Sequence, residues 1–434
     1  MASFSREALE QRRDSGRTLP FDVAIRCSRQ PADRPLRRPR FVFGLKELSG
    51  ALGDLGTFLP HVLGAITVAG LSPAGVFVSF GLFYLASGAA YGIPVGVQPM
   101  KAASAAVLIQ GMTPAEVSAG ALIIGFFFLV AGATGLVSML ARVTPPWTTA
   151  GIQLGLGASL AWLGLKLAWS QPLLSAIVAG AMGLLLFNRR VPAALVGLAL
   201  GVGLAFALGI NKGIPEVDWG LYLPRGVVPR PHDFLRAAYV AVLPQVPLTL
   251  TNAIIVTAAL ARRYFPKEEH HVTVRNLSLS TGIVNMLAAP LGGYMMCHGA
   301  GGLAGHYRFG ARTGGAAVII GAAFLSLGLF LGSGGMALLA LIPTAAVGSL
   351  LLFSGFELAA SSRVWRFPRW AVGLALGVAT LSFGFNPAVG FGAGLAAGWA
   401  LRRWCPAIMV SMAQAEEERA YICSRDGGPQ FQAS

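Results

Sequence analysis

Two short stretches decide the fold: residues 93–104 read IPVGVQPMKAAS, and residues 294–306 read YMMCHGAGGLAGH. Both lie among long apolar runs, and proline or glycine interrupts both. Pro94 and Pro99 disfavour a helix at the residues before them, so 93–98 should be extended and a helix should begin near Pro99. Interrupted segments in corresponding places of two halves typically mark the ligand site of a membrane protein built from repeats.

The composition is that of a polytopic helical membrane protein. Of the 434 residues, 55% are apolar and 12% are charged, whereas soluble domains carry about 25% charged residues. Runs such as 119–140 are apolar on every face, which excludes the alternating strands of a membrane β-barrel. The net charge of +15 is spread over a tail and short loops, so nucleic-acid binding is not predicted. Four isolated cysteines suggest neither a disulfide framework nor a zinc site.

Fourteen apolar segments follow residue 45, most of them near the ~20 residues that a spanning helix needs. They are expected at about 47–70, 73–91, 94–110, 117–141, 146–168, 172–188, 191–210, 234–261, 276–291, 294–307, 315–332, 336–360, 369–385 and 387–403. If the Arg-rich N-terminus is inside, nearly all loop arginines are cytoplasmic, as the positive-inside rule requires. The sequence therefore predicts an integral multi-pass protein of the cell (inner) membrane, in contact with lipid, with both termini cytoplasmic.

The fourteen segments divide into seven and seven around one long loop. Because seven is odd, two similar halves would lie inverted in the membrane. An offset of 197 relates Pro146 to Pro343 and Lys101 to His298, which fits an inverted repeat whose third and tenth segments are broken. We expect a disordered basic cytoplasmic tail at 1–40, a first repeat at 41–210, an external loop at 211–233, a second repeat at 234–405 and a cytoplasmic tail at 406–434.

Polar residues in the two interrupted segments are candidates for binding an anion. A helix start deep in the membrane presents free N–H groups and a positive dipole end. Lys101 adds a full charge there, although it could instead pair with Asp54 or snorkel to the interface. His298 can donate to an oxyanion or take a proton, and a core histidine bonded to backbone is the alternative. Gly299 and Gly301 let the backbone approach a ligand.

Other intramembrane polar residues are candidates for binding and ion coupling. Gln245 and Asn252 accompany two prolines that should kink the eighth segment and free carbonyls for a cavity. Asp54, a lone acid in an apolar helix, could carry a proton, bind a cation or pair with a lysine. Glu357 could carry a proton, and pairing with a nearby arginine is the alternative. No Walker A, GxSxG or HExxH motif is present, so neither an enzyme nor a cofactor or metal site is predicted.

Four blocks carry a family resemblance. They read GDLGT at 53–57 with Pro60, PVGVQPMK at 94–101, PQVPLTLTN at 244–252, and CHGAGGLAG at 297–305 followed by YRFGAR at 307–312. Together they resemble the molybdate transporter family of plants, algae and bacteria, which is related to the sulfate permeases. The resemblance covers about 41–405. It implies the fold shared with uracil permeases, with a core domain of spans 1–4 and 8–11, a gate domain of spans 5–7 and 12–14, and substrate between the broken spans.

The resemblance and the candidate residues together predict a secondary active transporter. It would import a tetrahedral oxyanion, molybdate first, by alternating access coupled to protons. The substrate-binding candidates are Gln98, Lys101, Ser104, Gln245, Asn252, His298, Gly299 and Gly301, and the ion-coupling candidates are Asp54, Glu357 and His298. A permease for sulfate, tungstate, another small anion or an uncharged nucleobase is the alternative, as is an anion channel. A homodimer is left open.

Overall fold

The apolar segments form helices, and each of the fourteen predicted segments overlaps at least one of them. The computed structural model describes residues 40–137, 145–186, 193–214, 220–266, 271–330, 338–385 and 387–404. Its helices are α1 (Leu45–Leu52), α2 (Leu55–Thr67), α3 (Pro73–Tyr91), α4 (Lys101–Gln110), α5 (Pro114–Thr134), α6 (Pro146–Ala168), α7 (Pro172–Leu186), α8 (Ala193–Ala207), α9 (Pro231–Tyr264), α10 (Val274–Ala288), α11 (Ala300–Arg308), α12 (Gly315–Phe330), α13 (Thr344–Ser361), α14 (Arg369–Gly384) and α15 (Pro387–Trp404). The predicted tails lie outside the described residues, apart from Arg40.

Proline begins many of these helices, because the first N–H groups of a helix have no partner within it. Pro114 follows Thr113, whose hydroxyl accepts from the backbone N–H of Glu116, while the Glu116 carboxylate accepts from the N–H of Thr113. Among the described residues, five helices are long and apolar enough to cross a membrane: Pro73–Tyr91, Pro114–Thr134, Pro146–Ala168, Pro231–Tyr264 and Thr344–Arg366. The chain is therefore a helical membrane protein.

The two interrupted segments pair with each other as strands. Strand β1 (Val97–Pro99) runs antiparallel to β2 (Met296–His298), with Val97 opposite His298 and Gln98 opposite Cys297. The predicted extended stretch is confirmed, although α4 begins at Lys101 rather than at the proline. The expectation of an all-α protein is wrong at this point. Backbone that cannot form a helix inside a membrane must find hydrogen bonds elsewhere, and each strand supplies them to the other.

The first predicted span is broken, not continuous. Helix α1 ends before Gly53, and α2 begins after Asp54, so Asp54 is a helix-cap residue rather than a lone acid within one helix. The break lies where α11 approaches closely: a Cβ on Gly53 would lie 2.7 Å from the carbonyl oxygen of Gly305. Such backbone contact requires glycine, and no hydrophobicity pattern within 47–70 reveals it.

Helix α9 accommodates its two prolines without a break. Wider π-helical turns lie before Pro244, at Ala238–Val242, and after Pro247, at Thr249–Val256. These turns accommodate the missing proline N–H and ring. The Thr251 hydroxyl donates to the Pro247 carbonyl at 2.8 Å, so this carbonyl is not free for a ligand.

Pairs of helices cross on glycine faces. Helix α3 packs on α12, α5 on α10, and α6 on α13 and α14. At the crossing of α6 and α13, a Cβ on Gly355 would lie 2.5 Å from the backbone nitrogen of Ala161, and one on Gly348 would lie 2.5 Å from that of Ala168. Small residues allow this close approach, which gives van der Waals contact where lipid supplies little hydrophobic drive.

Buried apolar side chains form three clusters. The largest uses residues from 51–137 and 237–324, which are α1–α5 and α9–α12. The second joins α6, α13 and α14 to α4 and α9. The third joins α7, α8 and α13 to α2. Among the residues that the structure describes, there is thus one large cluster built from parts of both halves, and there are two smaller clusters.

Candidate anion-binding site

The strand pair places two helix starts close together in the middle of the protein. Each strand leads directly into a helix, β1 into α4 and β2 into α11. Because the strands are antiparallel, α4 and α11 begin at opposite ends of a pair only three residues long. Both helix starts carry partial positive charge on their first N–H groups. The predicted candidate residues lie around these two starts.

Lys101 is the first residue of α4 and is half-buried. Within the part of the chain that the structure describes, its ammonium makes no hydrogen bond and no ion pair within 4.0 Å, and the pairing with Asp54 does not form. Lys101 does lie within electrostatic range of His61 and Cys297. A lysine at the positive end of a helix is unfavourable unless an anion is near. The charge is therefore available to a ligand.

The first turn of α4 already has one capping side chain. The Gln245 side-chain oxygen accepts from the N–H of Ala103 at 3.0 Å, and its Nε2 donates to the Thr249 hydroxyl at 2.7 Å. The Ser104 hydroxyl is buried near that of Tyr294, but among the described residues neither makes a hydrogen bond of ordinary geometry. The Ser104 hydroxyl can therefore turn either toward Tyr294 or toward a ligand. Asn252 lies in α9, and its side chain is outside what the structure describes.

At the start of α11, the Gln98 side chain is hydrogen-bonded to the carboxylate of Asp54. Its Nε2 donates to Asp54 Oδ1 and to the Thr57 hydroxyl, each at 2.5 Å. A Cβ on Gly299 would collide with the Gln98 side-chain oxygen. Gly301 lies two residues further along the chain, in the first turn of α11. Glycine at 299 therefore lets the Gln98 amide oxygen lie against the helix start.

Asp54 is the buried acid of this group of residues. Its carboxylate accepts from the Tyr84 hydroxyl at 2.5 Å and from Thr57 Oγ1 at 2.9 Å, besides Gln98. A Cβ on Gly302 would lie 2.7 Å from Asp54 Oδ2, so the carboxylate lies against the first turn of α11. His306 Nε2 is 3.9 Å from the same oxygen. The sequence analysis did not identify Tyr84, Thr57 or His306. Tyr84 and His306 lie far from Asp54 in the chain, whereas the i, i+3 spacing of a helix start could have identified Thr57.

His298 lies on the other face of the strand pair from Gln98, because neighbouring positions of paired strands alternate. Its Nε2 is 2.8 Å from the Ser280 hydroxyl, and its Nδ1 is 3.4 Å from the Gly96 carbonyl oxygen, to which it donates. Tyr91 and Phe83 pack against the ring. With the ring hydrogen on Nδ1, Nε2 accepts from Ser280. To donate to an oxyanion through Nε2, His298 would have to leave Ser280 and gain a proton.

Two further features lie outside this buried group. Glu357 is exposed on α13. A cavity of about 790 Å³ lies at the seam between α4, α9 and the α14–α15 turn, lined by Gln110, Leu235, Arg236, Tyr239, Val240, Gly384, Phe385 and Val389. The arginine that lines this cavity, Arg236, is already paired, because it donates to both Glu116 carboxylate oxygens at 2.6 and 2.8 Å.

The Asp54 cluster predicts a measurable loss of stability when one donor is removed. Tyr84→Phe should lower the free energy of unfolding by about 1–3 kcal/mol, because a buried carboxylate loses a hydrogen-bond partner. Thermal unfolding of the purified protein measures the change. Tyr239→Phe is the matched control, since Tyr239 is 48% exposed and should change the midpoint little. Equal midpoints for the two variants would contradict the Asp54–Tyr84 bond.

These features define a class: a helical membrane protein in which two half-helices begin at a short buried strand pair. Among solved structures, the transmembrane domain of the cyanobacterial bicarbonate transporter BicA matches with a TM-score of 0.61 at 17% identity, over 80% of this chain and 96% of that one. Murine Slc26a9, an anion transporter in the inward-facing state, matches with a TM-score of 0.59 at 14% identity, over 95% and 76%. At such identities the likeness shows the fold.

Sequence comparison gives the family. The family model described as "Molybdate transporter of MFS superfamily" matches residues 46–160 and 237–358. Molybdate transporter 2 of Arabidopsis thaliana is 31% identical over 414 residues, covering 80% of this chain and 85% of that protein. Molybdate transporter 1 of Chlamydomonas reinhardtii is 29% identical over 469 residues, covering 80% and 90%. The chain belongs to the molybdate transporter family, which is a transporter family and not an enzyme family.

Proposed function

We propose that this chain imports molybdate as a secondary active transporter. The observation that carries the proposal is Lys101: a half-buried cation with no partner among the described residues, at the start of a half-helix. Tetrahedral oxyanions suit such a place because backbone N–H groups and a full positive charge converge there. The names of the relatives favour molybdate over sulfate or tungstate.

The dianion would lie between the starts of α4 and α11. Lys101 supplies charge, while Ser104 and the backbone of Gly299 and Gly301 supply hydrogen bonds. Gln98 and Gln245 lie at the two helix starts and can turn their amides toward the ligand. Asn252 and His298 complete the proposed set, and His298 contributes after giving up its bond to Ser280.

A core and a gate domain would move against each other around this site. The largest apolar cluster supports this division, because it uses α1–α5 and α9–α12. The helix pairs support the inverted repeat. In a repeat of seven spans, span 2 (α3) corresponds to span 9 (α10), and span 4 (α5) corresponds to span 11 (α12). The packing of α3 on α12 and of α10 on α5 is then the same contact made once by each half. The fourteen spans would place both termini in the cytoplasm and the protein in the cell (inner) membrane, with rocking of the core giving alternating access.

Energetics requires coupling to a cation. A dianion that enters against 100 mV, negative inside, costs about 4.6 kcal/mol. Lys101 returns with the empty carrier, so its charge cannot offset this over a cycle. Co-transported protons would supply the difference. Asp54, His298 and Glu357 are the candidate carriers. Of these three, Asp54 has the strongest support, because its buried carboxylate lies against the first turn of α11.

Uptake into proteoliposomes tests the function. We expect labelled molybdate to accumulate with an inward proton gradient and to equilibrate only when the gradient is collapsed. Excess sulfate should compete weakly. Uptake that sulfate abolishes would make the protein a sulfate permease, ohmic currents without coupling to pH would make it an anion channel, and no uptake under any gradient would overturn the proposal.

A further inference from the structure

We propose that His306 and Asp54 form one proton-binding site that controls anion affinity at the start of α11. This inference rests on the proposed function, which it deepens by naming the atoms that bind the coupled proton. The proton would bind His306 Nε2, which lies 3.9 Å from Asp54 Oδ2, and both side chains are fully buried. No covalent step with the substrate is involved.

The hydrogen bonds of His306 fix which nitrogen is free. Its Nδ1 is 2.7 Å from the carbonyl oxygen of Gly50, and because a carbonyl only accepts, Nδ1 must carry a hydrogen. A neutral ring therefore has its lone pair on Nε2. That atom is buried and makes no hydrogen bond within the described chain. A basic atom thus points, without a partner, toward a carboxylate.

The hydrogen bonds of the Asp54 carboxylate leave one acceptor position of Oδ2 unused, near His306. Thr57 and Gln98 donate to Oδ1, and Tyr84 donates to Oδ2. The remaining capacity of Oδ2 faces His306 Nε2. Two acceptors that face each other in a buried site are unfavourable. One added proton converts them into an imidazolium–carboxylate pair, in which each charge stabilises the other.

The groups around this pair do not replace His306. The other titratable or charged side chains on α1–α4, on the 257–264 part of α9, and on β2, α11 and the turn after it are Lys46, Glu47, His61, Tyr84, Tyr91, Lys101, Arg262, Arg263, Tyr264, Cys297, His298, Tyr307, Arg308 and Arg312. Glu47 accepts from the backbone N–H groups of Arg312 and Thr313. The Arg312 guanidinium donates to the carbonyl of Tyr307 and lies over its ring. Among the described residues, His306 is the one basic side chain with a nitrogen within 4.0 Å of the Asp54 carboxylate.

The position of Asp54 links the proton to the anion. Its carboxylate lies against Gly302 in the first turn of α11, the turn that would face the substrate. Without the proton, a net negative charge lies at this helix start and repels a dianion. With the proton, the pair is neutral and the helix start attracts the dianion. Protonation and anion binding therefore favour each other, so both are carried together and both are released together.

The experiment measures molybdate affinity of the purified full-length protein by isothermal titration between pH 5.5 and 8. In the wild-type protein, affinity should rise as pH falls. His306→Asn keeps a donor for the Gly50 carbonyl and removes Nε2. The Asp54 carboxylate then keeps its negative charge with no imidazolium beside it. It should weaken binding at pH 7 by at least about tenfold, within the usual range of coupling between sites.

A second substitution should rescue the first. In the double variant Asp54→Asn/His306→Asn, the site is neutral without a proton, so affinity should return to within about threefold of wild type and lose its pH dependence. A merely structural role of His306 predicts no such rescue. His61→Gln is the matched control: it removes another buried histidine and keeps a group that can bond Ser354. It should retain the pH dependence.

The outcomes separate this inference from the proposed function. If wild type binds molybdate with an affinity that is independent of pH, or if the double variant binds as weakly as His306→Asn, the proton site is wrong and the anion transporter stands. If wild type binds no molybdate at any pH, the proposed function itself is wrong. Monodisperse elution of each variant on size exclusion shows that the fold is retained.

Discussion

Lys101→Ala should reduce molybdate uptake by at least about 30-fold, because removal of one partner of a desolvated charge pair typically costs about 2–5 kcal/mol. The reason lies in the first turn of α4. Lys101 carries the full positive charge at that helix start, and the described residues offer it no partner. Uptake of labelled molybdate into proteoliposomes, corrected for the amount of protein, measures the loss.

Two controls make the Lys101 result specific. Lys166→Ala removes an exposed lysine from α6 that lies over the Trp162 ring, and it should leave uptake within about twofold. Lys101→Arg keeps the charge but changes its geometry, so it should retain part of the uptake. If Lys101→Ala transports at a rate close to wild type, the anion site at α4 is in the wrong place.

Gly355→Ala should prevent correct folding or lower the free energy of unfolding by about 3 kcal/mol or more. The added Cβ would lie 2.5 Å from the backbone nitrogen of Ala161 and 2.6 Å from the carbonyl oxygen of Gly157. Backbone atoms cannot move aside as the end of a flexible side chain can, so α6 and α13 would have to separate. The yield of monodisperse protein and its thermal midpoint report the effect.

The matched control for that substitution is Gly180→Ala. Gly180 lies within helix α7 and has nothing within 4 Å of its Cβ position. Alanine there should be neutral or stabilise the protein by up to about 1 kcal/mol, since alanine has the higher helix propensity. Equal behaviour of the two variants would show that the crossing of α6 and α13 does not depend on glycine.

Much of the fold could be predicted because local signals fix it. Prolines and uninterrupted apolar runs located the ends of α3 at Pro73–Tyr91 and of α6 at Pro146–Ala168. Pro94 and Pro99 predicted the extended stretch that became β1, and the offset of 197 pointed to its partner segment. These are properties of a few neighbouring residues or of a simple repeat.

The rest depended on contacts between distant parts of the chain. The break at Gly53 reflects its approach to Gly305, and the attachment of Gln98 to Asp54 joins residues 44 positions apart. Asp54 and His306 meet only because α1, α2 and α11 pack together. Hydropathy identified Asp54 as unusual but could not name its partners, since a polar residue in a membrane can be satisfied from any neighbouring helix.

The central claim is that an oxyanion binds between the starts of α4 and α11, and the most direct measurement is to locate the anion itself. Tungstate is a tetrahedral dianion with a heavy atom, so crystals of the protein soaked with it can be mapped by anomalous scattering. We predict one strong peak near Lys101 and Ser104, facing the turn at Gly299–Gly302, and its loss in Lys101→Ala. A peak confined to the cavity beside Arg236, with none near Lys101, would contradict the account.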